Sequence, residues 1–259
     1  MATSNFADRL MSAIEEKNSR VCVGIDPVLE LMPEHMRPTE RFEERFWNPL
    51  PEAFRTSPLL AGVGKFCAGI IEAVAEIAPV IKFNSAFFEA LGPGGLDLLY
   101  RLMAWSTSTR FDLLVLVDAK RGDVGSTAEA YASAMFSQYA EIPMRPPDAV
   151  TVSPWLGSDG VQPFVDQVSE LGRGVFVLVR TSNPSATEVQ DLVTEDGKPL
   201  YQHVAALVDK WGAPHIGDRG YSCVGAVVGA TWPRQLAELP ERLLKPTFLV
   251  PGYGAQGGG

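Results

Sequence analysis

Seven short apolar runs, rich in Val, Ile and Leu, recur along the chain: VCVGI (21–25), VIKF (80–83), LLVLVDA (113–119), AVTVS (149–153), GVFVLV (174–179), VGAVVG (224–229) and TFLV (247–250). Continuously apolar strands are expected where both faces of a sheet are covered, as in a parallel sheet flanked by helices. Between most of the runs lie segments long enough for one helix, at 62–78, 95–106, 126–140, 158–171 and 199–212. Strand alternating with helix gives an α/β fold. Either an open doubly wound sheet or a closed (β/α)8 TIM barrel would satisfy this pattern.

The ends of the runs decide between them. Run after run finishes in polar or charged residues: Asp26, Lys82 and Asn84, Asp118 and Lys120, Ser153, Arg180 to Ser182, and Thr231. In a barrel all strand C-termini meet at one mouth, where catalytic groups collect. In an open sheet only the strands at the switch point would need such residues. No GxGxxG follows the first run, which also argues against a dinucleotide fold. The barrel is the expectation. Segment 27–61, rich in Pro and acids, reads as a long excursion after the first strand. No repeat or low-complexity linker divides the 259 residues, so 1–259 reads as a single domain. Ahead of it, Phe6, Leu10 and Ile14 recur every four residues behind a possible Ser4 cap, which predicts an amphipathic helix.

Composition bounds the partners. Lys plus Arg number 22 against 31 Asp plus Glu, a formal net charge of −9, so the chain has no bulk attraction for nucleic acid. Any bound anion must meet locally placed positive charge. No apolar stretch approaches the roughly 18 to 20 residues of a membrane span, and the N-terminus lacks the apolar core of a signal peptide. Three scattered cysteines, Cys22, Cys67 and Cys223, form no CxxC pair. They suggest neither a disulfide framework nor a zinc site, and a reducing cytoplasmic setting is expected. His35, His203 and His215 show no metal spacing.

The chemistry concentrates in VLVDAKRGDVGSTAEAYA (115–132). Asp118 and Lys120 stand two apart at a strand end, which by strand alternation turns both side chains to one face. Asp123 follows three residues later, between Gly122 and Gly125, which suit a sharp turn. Carboxylates beside an ammonium favour its charged form, which suits a lysine to donating a proton. Lys82 closes the preceding strand and should stand beside Asp118, completing an alternating array of Lys82, Asp118, Lys120 and Asp123. On charge pattern alone the array reads equally well as a surface salt-bridge cluster, and Lys82 as a snorkelling strand-end lysine.

These motifs resemble the orotidine 5′-phosphate decarboxylases, in particular the longer bacterial branch of that family. The resemblance runs in order through VCVGIDP (21–27), KFNSAFFEALGPGG, DAKRGDVGSTA, TVSPWLGSDGVQPF, VLVRTSNPSA, VGAVVGATWP and VPGYGAQGG (250–258). It implies a (β/α)8 barrel that dimerises through its mouth and converts orotidine 5′-phosphate to UMP and CO2 in pyrimidine biosynthesis, with no metal or other cofactor. It further implies that Lys120 protonates C6 of the pyrimidine, that Asp118 lies beside the substrate carboxylate, and that Lys82 neighbours it. Asp123 would cross the dimer interface into the partner's site, with Thr127 beside it. Asp26 and Asn84 would hold the ribose, Ser182 would read the pyrimidine amide edge, and Gln256 would sit in a lid over phosphate and base. The runner-up is a metal-dependent sugar-phosphate decarboxylase or aldolase of the same barrel superfamily, which shares the aspartate–lysine–aspartate signature.

Seven runs leave no residues for an eighth strand. The family resemblance implies a chain that continues past the GAQGG loop through a helix to a last strand and a phosphate-clamping arginine. The expectation is therefore a C-terminally incomplete barrel whose natural form extends about 20–30 residues, roughly one repeat, past Gly259.

Overall fold

A computed structural model describes residues 4–37, 57–108, 111–136, 145–242, 245–253 and 257–258. The chain groups into two compact units, one of residues 13–119 and 138–147, the other of residues 1–12, 120–137 and 148–259.

The first unit holds strands β1 (Cys22–Ile25), β2 (Val80–Asn84) and most of β3 (Leu114–Arg121). They pair in parallel and in chain order, with Cys22 opposite Val80 and Val80 opposite Leu114. Between β1 and β2 run two short 3-10 turns (Leu29–Leu31 and Glu34–Met36) and helix α2 (Pro58–Val74). Helix α2 begins four residues before the expected 62 because Ser57 caps it, accepting from Leu60 N at 3.4 Å, and Pro58 occupies its first turn, where a missing N–H costs nothing. Helices α3 (Ser85–Glu89) and α4 (Gly92–Ser106) lead to β3. Ile81 and Phe83 of β2 and Val115 and Val117 of β3 are buried, as are Ile71 of α2 and Leu98 of α4. The sheet is thus covered as a parallel sheet requires.

The second unit takes up the last residues of β3. Lys120 N donates to Thr151 Oγ1 at 3.0 Å, and Arg121 O accepts from Ser153 N at 2.7 Å. Parallel strands β4 (Ala149–Val152), β5 (Gly174–Arg180), β6 (Ser222–Val228) and β7 (Pro246–Leu249) follow in chain order. Their helices are α5 (Gly125–Phe136), α6 (Ser158–Leu171), the short α7 (Thr187–Gln190), α8 (Leu200–Gly212) and α9 (Pro233–Arg242). Strand order that never reverses against chain order is the topology of a (β/α) barrel, not of a doubly wound sheet with its switch point. Seven strands lie among the described residues, one for each apolar run.

Helix α1 (Phe6–Lys17) forms as the periodicity of Phe6, Leu10 and Ile14 requires. Its cap is Asn5, whose Oδ1 accepts from Ala7 N at 2.8 Å, instead of Ser4. Phe6 packs edge-on against Phe176 at 6.0 Å between ring centroids. Arg9 and Arg173 both reach Oδ1 of the buried Asp148, at 2.7 and 3.0 Å. A carboxylate taken out of water needs such partners. Among the described residues no helix is long and apolar enough to cross a membrane.

Candidate active site

The charged residues sit where the strands end. In the first unit, Lys82 of β2 lies with its Nζ 3.5 Å from Asp118 Oδ2 and 4.0 Å from Asp26 Oδ1. The side chains of Lys82 and Asp118 are only 13% and 14% exposed, whereas Asp26 keeps 43%. A pair so sheltered is held in low dielectric, where attraction at this distance counts for more than at the surface. Gly24 pairs with Lys82 in register, and the ammonium lies 4.0 Å from where a Cβ on Gly24 would stand.

Sequence alone places Lys82 beside Asp118, but the register is different. Asn84 is the residue opposite Asp118, and Lys82 is opposite Leu116. The long lysine stem spans the offset. Asn84 also caps α3, its Oδ1 accepting from Ala86 N at 3.3 Å. Cys22 shares this neighbourhood: burial pushes its thiol up to about 11, against the opposing pull of Lys82, with Asp118 adding to the rise.

The second unit carries Lys120, Asp123, Thr127 and Ser182. Lys120 is exposed and has φ 47, one of three non-glycine residues with positive φ among those described. The strand alternation that puts Asp118 and Lys120 on one face assumes extended backbone, and Lys120 departs from it. A lysine in the left-handed region is strained, and such strain gathers at functional positions. After it, Asp123 Oδ1 accepts from Val124 N at 2.8 Å. Gly125, at φ 54, makes the turn into α5 that a side chain would strain. Gly122 has a different use from the turn expected of it, since a Cβ there would meet Ser153 O at 3.2 Å. Thr127 is exposed in the first turn of α5.

Ser182 follows β5 and is half-buried, its carbonyl accepting from Thr231 Oγ1 at 2.9 Å. Gln256 lies outside the described residues. Two participants escaped the sequence reading. Thr151 looks like one more β-branched residue in an apolar run, yet it is the acceptor that holds the Lys120 backbone. Arg180, noted only as a polar strand end, is fully buried and anchors the segment that carries Ser182.

The comparisons with known proteins agree with this arrangement. The model of the Orotidine 5′-phosphate decarboxylase / HUMPS family matches residues 19–259. A protein of Rhodopirellula baltica named orotidine 5′-phosphate decarboxylase is 44% identical over 256 residues, covering 98% of this chain and 80% of the relative. One of the same name from Caldicellulosiruptor bescii is 39% identical over 258 residues, covering 98% and 81%. The crystal structure of a putative orotidine 5′-phosphate decarboxylase from Streptomyces avermitilis superposes with a TM-score of 0.76 at 34% identity, covering 100% of this chain and 80% of that one. From the charges at the strand ends, the chain-order topology and these similarities together, the chain belongs to the Orotidine 5′-phosphate decarboxylase / HUMPS family.

Proposed function

We propose that this chain is a carboxy-lyase that converts orotidine 5′-phosphate to UMP and CO2, without metal or organic cofactor. The observation that carries the reading is the Lys82 ammonium set 3.5 Å from Asp118 on the strand whose next charged residue is the strained Lys120. When the bond from C6 to the carboxylate breaks, its electron pair stays on C6 as an unstabilised vinyl carbanion. Lys120 faces that charge as a preorganised cation and donates the proton that completes UMP. Asp118 lies beside the departing carboxylate, and Lys82 keeps Asp118 in place. Binding energy from the remote phosphate is used to close the site over the base.

Asp26 and Asn84 hold the ribose. The oxygen of Asn84 is engaged by its helix cap, so the ribose contact falls to its NH2 group. Ser182 reads the amide edge of the base, and Gln256 belongs to the lid. The enzyme works in the cytoplasm as a homodimer in which Asp123, with Thr127 beside it, completes the partner's site. Exposed apolar side chains support this: Val124, next to Asp123 in sequence, is 48% exposed, and Trp155 and Leu156, ahead of α6, are 73% and 45% exposed. A Cβ on Gly160 would touch both Asp123 O and Leu156, so Leu156 lies beside the Asp123 backbone.

Loss of orotidylate absorbance with the purified chain, with and without EDTA, tests the reading. Turnover that survives EDTA is expected. Turnover lost with EDTA and restored by a divalent ion would overturn the metal-free mechanism, and no turnover in either arm, as for a metal-dependent sugar-phosphate enzyme, would overturn the assignment.

A further inference from the structure

Arg180 is the last residue of β5, and its side chain is 0% exposed. Burying a guanidinium is unfavourable unless the charge is paired and its donors are used. Asp191 supplies the charge: Arg180 Nη2 donates to Oδ2 at 2.9 Å, and Nε lies 2.9 Å from Oδ1. The ring of Trp232 covers the guanidinium, 3.7 Å from its carbon to the ring centroid. Nη1 donates to Thr181 O at 3.2 Å and to Gln190 Oε1 at 3.4 Å.

Two of these partners, Gln190 and Trp232, also hold Thr181, and the residue before Trp232 holds Ser182. Thr181 N donates to Gln190 Oε1 at 2.9 Å, Trp232 Nε1 donates to Thr181 O at 2.8 Å, and Thr231 Oγ1 donates to Ser182 O at 2.9 Å. Gly229 N donates to Arg180 O at 2.7 Å, and a Cβ on Gly229 would lie 2.6 Å from Ser182 Cα. The segment is pinned from α7, from the residue that follows it, and from the end of β6. Apolar packing could replace a buried ion pair without loss of stability. A planar fork with fixed donor directions has a use where a neighbouring side chain must be held to within about half an ångström.

We propose that Arg180, Asp191 and Trp232 are positioning residues that fix Ser182 where it reads the pyrimidine, so that this network sets selectivity for the base. The proposal rests on the reading of the site given above, in which Ser182 contacts the base. Its consequence is specific. Loosening the network weakens ligands that carry the base and leaves ligands without it unaffected.

The test uses the purified chain and compares UMP with ribose 5-phosphate, which keeps the sugar phosphate and lacks the base. Trp232→Phe retains an aromatic face over Arg180 and removes the bond to Thr181 O. It should weaken UMP about fivefold, the worth of one hydrogen bond, and ribose 5-phosphate by no more than about twofold. KM for orotidine 5′-phosphate should rise more than kcat falls, with the thermal midpoint unchanged. Asp191→Asn should show the same pattern more strongly, and if that variant does not fold, Trp232→Phe decides alone. Adding Trp232→Phe to Ser182→Ala should cost no further UMP affinity, because nothing remains to be positioned. Equal weakening of both ligands, or full additivity in the double variant, would overturn the proposal. A wild-type chain with no decarboxylase activity would overturn the reading of the site, a separate failure visible before any variant is made.

Discussion

Thr151, buried in β4, accepts the backbone N–H of Lys120 at 3.0 Å, and Lys120 itself has φ 47. One residue on, Arg121 O receives Ser153 N at 2.7 Å. The end of β3 is therefore held by β4 in a conformation it would otherwise avoid. For a residue with a Cβ that conformation costs about 1–2 kcal/mol and persists only where the surroundings impose it. Thr151→Val keeps the shape and removes the acceptor. We expect a loss of about 1 kcal/mol in urea unfolding, the usual worth of one part-buried hydrogen bond. We also expect kcat to fall by about tenfold or more as the lysine relaxes away from its working position. An unchanged kcat would show that the bond serves folding alone.

The same strain makes an unusual comparison at Lys120. Both Lys120→Ala and Lys120→Gly remove the proton donor, and each should lower turnover by more than about a hundredfold. Alanine still has a Cβ to strain, whereas glycine adopts positive φ freely. After allowance for the greater freedom of glycine in the unfolded chain, the Gly variant should be the more stable by about 0.5–1 kcal/mol. Denaturant midpoints measure this. An Ala variant as stable as the Gly variant would mean the backbone there is not strained.

The strands were legible because parallel strands covered on both faces leave unbroken apolar runs, and each run became a strand within a residue or two of its expected ends. The candidate site residues were legible as strand-end charges, since Asp26, Lys82 and Asp118 lie where their runs stop. Geometry that depends on partners distant in sequence was not. Nothing in DAKRGD announces that Lys120 leaves the extended region, and alternation presupposes that it does not. The offset of Lys82 from Asp118 follows from register, which no single run contains. Arg180 finds its carboxylate in Asp191, eleven residues later and past two short helices, a pairing that charge pattern does not single out. The Asn84 cap was available in the sequence, as a short polar residue before SAFFE.

Burial of the thiols gives the fold an alkaline weakness. Cys22 and Cys223 are each raised from 9.0 to about 11 by desolvation, and Cys67 is raised further. Below pH 9 these thiols are protonated in both folded and unfolded chains, so their contribution to stability is complete there. Between pH 9 and 11 the unfolded chain releases protons that the folded chain keeps, so stability falls as pH rises. Each thiol contributes up to about 1.4 kcal/mol per pH unit in that window. Urea unfolding of the wild type and of Cys223→Ala should show the slope reduced by one thiol in the variant. Identical slopes would mean that Cys223 titrates normally in the folded chain.

A shared site makes the sharpest prediction about assembly. If Asp123 completes the partner's site, each site takes Lys120 from one protomer and Asp123 from the other. Lys120→Ala and Asp123→Ala homodimers should then both be inactive, since every site lacks one of the two groups. In a heterodimer of the two variants, both lesions fall in a single site and the other site is wild type. Random exchange of equal amounts makes about half of the dimers mixed, so activity should recover to about a quarter of the wild-type value. Recovery should follow the rate of subunit exchange and vanish when exchange is blocked by crosslinking each homodimer before mixing. Trp155→Glu, at a tryptophan 73% exposed and next to Leu156, should weaken the dimer and lower activity at dilute protein concentration. Mixing that restores nothing, although exchange is demonstrated, would show that each protomer builds its site alone and that Asp123 acts within its own chain.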